Sequence, residues 1–155
     1  MTPDLTAGVW LALARVVVER GRQAKLAIRG VSMLPLLGEP MTIDVEALRH
    51  PARVGDVLVF RAGDTYVAHR VLRRFGERYV TGGDAYPEIV EHVDSADVLG
   101  RVSAVWSDAR PGAVRIDTAF HRLRGLLYAR ARPARLAVRG VVGRALRLCR
   151  PKEIH

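Results

Sequence analysis

The sequence predicts a mainly β, antiparallel, partly closed barrel, with one helix before it and basic helices after it. Three observations lead there. Between Lys25 and Val105 the apolar residues fall in short runs separated by turn signals, as strands of a small barrel do. No strand-then-helix alternation points to a parallel sheet. From residue 110 onward the composition changes to arginine-rich segments with helical spacing. The 155 residues suit one core, so three regions are expected: an N-terminal helix over 1–24, a β-rich domain over 25–108 and a basic helical tail over 109–155.

Each element has its own reason. Leu5 to Gly21 is apolar around Trp10 but interrupted by Arg15 and Glu19. It is shorter than the ~20 apolar residues of a membrane span, and it lacks the basic start and cleavage pattern of a secretory signal. A helix packed on the core is favoured over one lying in a membrane interface with Trp10 as anchor. Leu26–Arg29 is a short apolar strand, and Met41–Val45 alternates as a half-buried strand should. Gly55-Asp56 turns into Val57–Phe60, Ala62-Gly63-Asp64 makes a hairpin to Thr65–Leu72, and Phe75-Gly76-Glu77 turns into Arg78–Thr81. Val98–Trp106 is the last strand, and Ala109-Arg110-Pro111-Gly112 is a turn.

The tail holds the charge. The chain carries a formal +9; residues 110–155 contain eleven Arg and one Lys against Asp117 and Glu153, so the remainder is near neutral. Thr118–Arg132 is expected to be an amphipathic helix with Phe120, Leu123, Leu127 and Tyr128 on its apolar face, ended by Pro133. Ala134–Cys149 is expected to form a second helix. Two uses remain open: contact with an anionic membrane surface, or packing on the barrel with the arginines turned to water. Sequence-specific nucleic-acid binding is not expected, because no aromatic stacking platform or base-reading element accompanies the charge. The single Cys149 excludes an internal disulfide and a multi-cysteine metal site. No phosphate-binding loop or metal-ligand spacing is present, so no cofactor or metal is expected.

The chemistry gathers at three short stretches. Ser32 lies in Gly30-Val31-Ser32-Met33-Leu34-Pro35, a turn after an apolar strand, where a hydroxyl can stand exposed. A hydroxyl needs a base, and His69 in Ala68-His69-Arg70-Val71 is the strongest candidate. Asp84 in Thr81-Gly82-Gly83-Asp84-Ala85 lies 15 residues beyond it and can orient an imidazole. Taken singly, a turn serine or a strand histidine is more often structural. His50, His92, His121 and His155 sit in settings that suggest no such role.

In this order, with Val54–Phe60 between them and Val98–Val102 after them, the blocks resemble the type I signal peptidase family. The resemblance is to the branch of archaea and the endoplasmic reticulum, in which a His replaces the catalytic Lys. It implies a barrel of the kind shared with self-cleaving LexA-like repressors. It also implies a serine endopeptidase that removes a leader or signal segment through Ser32 and His69, accepting small residues before the cut. Met33 would line the cleft or fill the core, and Met33 and Pro35 are the expected substrate-binding positions. The family's pattern carries a further Asp just after the Gly-Asp pair; here that stretch holds Glu88, with Glu91 and Asp94 beyond. The third member is therefore Asp84 or Glu88. The N-terminal helix is weaker than the family's membrane anchor, which suits a specialised, membrane-associated or cytoplasmic enzyme acting on peptide precursors. A repressor would need a DNA-binding domain before Ser32, and 31 residues are too few. The alternative is a non-catalytic basic adaptor that binds membrane or nucleic acid through the tail.

Overall fold

The computed structural model describes residues 7–37, 41–107 and 110–138. Helix α1 (Ala7–Glu19) is followed by strands β1 (Ala24–Ile28), β2 (Met41–Glu46), β3 (Val57–Ala62), β4 (Thr65–Phe75), β5 (Arg78–Gly82) and β6 (Glu91–Asp94). A 3-10 turn at Ser95–Asp97 leads into β7 (Val98–Ser107), β8 (Arg110–Arg115) and helix α2 (Ala119–Arg130). All eight strands belong to one antiparallel sheet, ordered β1-β2-β7-β3-β4-β5-β6 with β8 beside β7.

Strand β7 is the hub. One of its edges pairs with β2 from Arg101 to Ser107; the other is shared by β3 at Val98–Arg101 and β8 at Ala104–Ser107. Alternation along β3 divides the core: Val57 and Val59 join Ala14, Val18, Met33, Val45 and Val102, whereas Leu58 and Phe60 join Val71, Tyr79 and Val93. Both faces of β3 are buried, which is why its sequence is a continuous apolar run.

The sheet is not closed, and here it departs from the expected partly closed barrel. Strand β1 pairs only with β2, and β4 gives its second edge to β5 only from Arg70 onward. Among the described residues, β1 and the Thr65–His69 half of β4 thus keep unpaired edges, because β5 is too short to cover the whole of β4. Four successive antiparallel pairings separate β1 from β4, so the two strands run in the same direction. Their C-terminal ends therefore arrive at one end of the gap.

Two strands were not legible in advance. Strand β6 lies in a polar stretch, Glu91-His92-Val93-Asp94, and β8 occupies the segment expected to be a turn. With β8 paired to β7, the sheet runs beyond the expected boundary at residue 108. Helix α1 packs on the core through Ala14 and Val18, while Val9, Leu13 and Val16 face outward. No helix among the described residues is long and apolar enough to cross a membrane. The side chain of Trp10, Cys149 and most of the second tail helix lie outside the described residues; 132–138 is helical.

Helix α2 begins at Thr118, whose hydroxyl accepts from the His121 N–H. It seats on the turn at Gly55, where a Cβ would lie 2.8 Å from the Arg122 carbonyl oxygen, and only a glycine backbone allows that approach. Its polarity is opposite to the packed arrangement considered from the sequence. Phe120, Leu123 and Leu127 are 69%, 56% and 59% exposed, while Arg122 turns inward to the buried Asp56, 3.4 Å away. Also on this helix, the His121 Nδ1 is buried without a hydrogen-bond partner, and burial, then Arg124 and Arg70, hold the imidazole below its usual pKa. A depressed folded-state pKa contributes stability above the unfolded value and loses it as pH falls. A thermal-melt series from pH 7.5 to 5 should therefore show less acid loss for His121→Gln than for wild type.

Candidate active site

The parallel run of β1 and β4 brings the two leading candidates together. Ser32 lies in the turn that follows β1, and His69 lies on β4; the Ser32 Oγ is 3.0 Å from the His69 Nε2, although 37 residues separate them. The other imidazole nitrogen, Nδ1, is 3.0 Å from the Glu91 Oε2. The Thr81 hydroxyl donates to the same carboxylate oxygen at 3.4 Å. With Glu91 ionised, Nδ1–H is the donor on that side, which leaves the Nε2 lone pair to accept from the serine hydroxyl.

Glu91, not Asp84 or Glu88, occupies the position beside the histidine. Register explains how it arrives there. Val71, Thr81 and Glu91 are cross-strand neighbours on β4, β5 and β6, and His69 stands two residues before Val71 on the same face. Since β5 ends at Gly82, Glu91 reaches diagonally across the gap to the imidazole. Packing fixes the ring from the other side: Phe60 meets it edge-on with centroids 6.2 Å apart, and His69 is only 6% exposed.

Asp84 serves a different partner. Consecutive strand residues point to opposite faces, so Arg70 turns away from His69, and its guanidinium takes Asp84 in a two-pronged pair at 2.8 and 2.5 Å. Both side chains are at most 5% exposed. Arg70 also donates to the Gly55 carbonyl at 2.8 Å, and Arg135 donates to the Asp84 carbonyl. Arg132 donates to the Ile89 carbonyl, so the segment after α2 grips both halves of the loop between β5 and β6. Glu88 is exposed in that loop.

Within the Thr-Gly-Gly-Asp-Ala stretch, Thr81 thus reaches the histidine's carboxylate partner, while Gly83 and Ala85 support the serine. The Ala85 N–H donates to the Ser32 carbonyl at 2.9 Å. A Cβ on Gly83 would lie 2.6 Å from that same oxygen, so the loop backbone can press against the Ser32 turn only as glycine. Among the described residues the Ser32 N–H has no backbone acceptor.

Ser32 and His69 open onto a groove of about 1010 Å³ lined by β1, by Thr65–Ala68 of β4 and by Leu13, Ala14 and Val17 of α1. Met33 lines it and is also part of the core at 3% exposed; Pro35 is exposed and is not among the lining residues. The unpaired edges of β1 and β4 offer main-chain donors and acceptors along the groove to an extended chain.

No protein-family model matches the chain, and no curated protein matches it.

Proposed function

We propose that this protein is a serine endopeptidase of signal-peptidase type, cutting a leader or signal segment from a peptide or protein precursor. The observation that carries the proposal is the pair of contacts on one imidazole, Ser32 Oγ to His69 Nε2 and His69 Nδ1 to Glu91, each 3.0 Å, opening onto a groove with two unpaired strand edges.

The substrate lies extended along β1 and presents its scissile carbonyl to Ser32. Ser32 Oγ attacks the carbonyl carbon as its proton passes to His69 Nε2. Glu91 accepts from Nδ1–H throughout, holding the productive tautomer and stabilising the imidazolium without taking the proton. The oxyanion is received by the Ser32 N–H, pre-aimed because the Ala85 and Gly83 backbone pins the turn. His69 then protonates the leaving amine, the C–N bond breaks, and the acyl group stays on Ser32. Water then attacks the acyl carbon as its proton passes to His69; the C–Oγ bond breaks, the acid product leaves, and His69 returns the proton to the Ser32 Oγ, which restores the enzyme.

The direct test uses the whole chain in detergent micelles with a peptide library bearing small residues before candidate cut sites. Cleavage is read by mass spectrometry, and acid quenching followed by peptide mapping locates the acyl group. The expected result is cleavage with a transient acyl adduct on Ser32. An adduct on another residue would refute the mechanism, and a folded wild type that cleaves nothing would favour the adaptor.

A further inference from the structure

We propose that the outward face of α2 docks on an anionic lipid surface. The proposal is independent of the chemistry at Ser32. Phe120, Leu123 and Leu127 recur at i, i+3 and i+7, so they form one stripe along the helix, and all three are more than half exposed. Single exposed apolar residues are ordinary; α1 carries a comparable stripe at Val9, Leu13 and Val16, but there Arg15 is paired with Glu19, whereas no acid accompanies the stripe on α2. The opposite face is occupied: Arg122 meets Asp56, Gly125 presses on Gly55, and Tyr128 lies under Arg135 at 4.3 Å.

Charge selects the occupant. Arg124 and Arg130 are exposed and fall on the two flanks of the stripe, given 100° per residue. Their stems can lie along the apolar side chains while the guanidiniums reach the headgroup level. No carboxylate occurs between residues 119 and 138, against five arginines. A second copy of this face would bring four exposed arginines together with no acid to offset them, which disfavours a symmetric dimer. An anionic bilayer satisfies both the stripe and its flanks. Because the helical segment after α2 also holds the loop at Asp84 and Ile89, a docked helix tethers the candidate site to the same surface.

The test is vesicle co-sedimentation of the full chain with phosphatidylcholine alone and with added phosphatidylglycerol, supported by light scattering without lipid. Wild type should bind the anionic vesicles preferentially. Leu123→Asp/Leu127→Asp should weaken that binding by at least about tenfold, since two apolar contacts become charges of the lipid's own sign. Arg124→Gln/Arg130→Gln should cost about 30-fold on anionic vesicles and little on neutral ones. A Val9→Asp/Val16→Asp variant, altered on the exposed side of α1 away from the groove, should bind as wild type does. These positions are exposed, so circular dichroism and melting should match wild type in each case. The proposal is overturned if wild type binds neither vesicle or both equally, if the α2 variants bind unchanged, if only the α1 variant fails, or if wild type forms a dimer that Leu123→Asp/Leu127→Asp abolishes.

Discussion

Ser32→Ala and His69→Ala should each lower the cleavage rate by about a millionfold, and Glu91→Gln by about ten-thousandfold. The ordering follows from the roles. Ser32 makes and breaks the bond and His69 moves the proton, so removing either removes the acyl-enzyme route. Glu91 does neither. It selects the tautomer by accepting from Nδ1–H at 3.0 Å, and a glutamine there can present an N–H instead, turning the imidazole the wrong way round. The double variant Ser32→Ala/His69→Ala should be no slower than the worse of the singles, because the two act as a unit. Steady-state rates on one cleaved peptide check all four. Retention of activity in Ser32→Ala would sink the proposal. Equal activity in Glu91→Gln and wild type would remove Glu91 from it.

Asp84→Asn separates this assignment from the one favoured on sequence order. If the carboxylate beside His69 is Glu91, Asp84→Asn leaves the Ser32–His69–Glu91 contacts intact and should lower the rate far less than Glu91→Gln at a temperature where both are folded. The reverse ranking would return Asp84 to the histidine.

Much of the sheet was legible because its chemistry is local. Val57–Phe60, Thr65–Leu72 and Val98–Trp106 carry the apolar patterning of strands, and glycines mark the turns between them. Strands β6 and β8 were not, since Glu91–Asp94 and Arg110–Arg115 are mostly polar or punctuated and owe their conformation to the neighbours they pair with. The carboxylate beside His69 was missed for the same reason. Glu91 sits on an unforeseen strand, and nothing in its immediate sequence marks it. The available signal was the pleat: with His69 assigned to one face of β4, Arg70 falls on the other, and a buried arginine there needs a carboxylate of its own. Asp84 meets that need. The polarity of α2 was hidden too, because a helical wheel gives the two faces but not which of them finds a buried Asp56 and a glycine turn to sit on.

The same buried pair carries the largest expected change in stability. Arg70 and Asp84 are at most 5% exposed and meet at 2.8 and 2.5 Å. Taking both charges out of water costs about as much as their attraction returns, so the pair as a whole adds little net stability. Breaking it is different. Asp84→Asn takes the paired carboxylate charge from the buried Arg70 guanidinium, leaving it only the neutral amide oxygen and the Gly55 carbonyl as acceptors here, and should destabilise the fold by about 3–5 kcal/mol, or roughly 10 °C in Tm. Removing both charges in Arg70→Met/Asp84→Leu should give a protein more stable than Asp84→Asn, since no isolated ion remains. Thermal and urea unfolding of Arg70→Met, Asp84→Leu and the double that combines them form a cycle that reads the coupling directly. If Asp84→Asn melted with wild type, the pair would be a bystander. If the double lost the sum of the two singles, the guanidinium and carboxylate would be acting separately. The expected strong coupling would instead tie the stability of the whole loop, and through the Ala85 N–H the placement of Ser32, to an ion pair that takes no part in the chemistry.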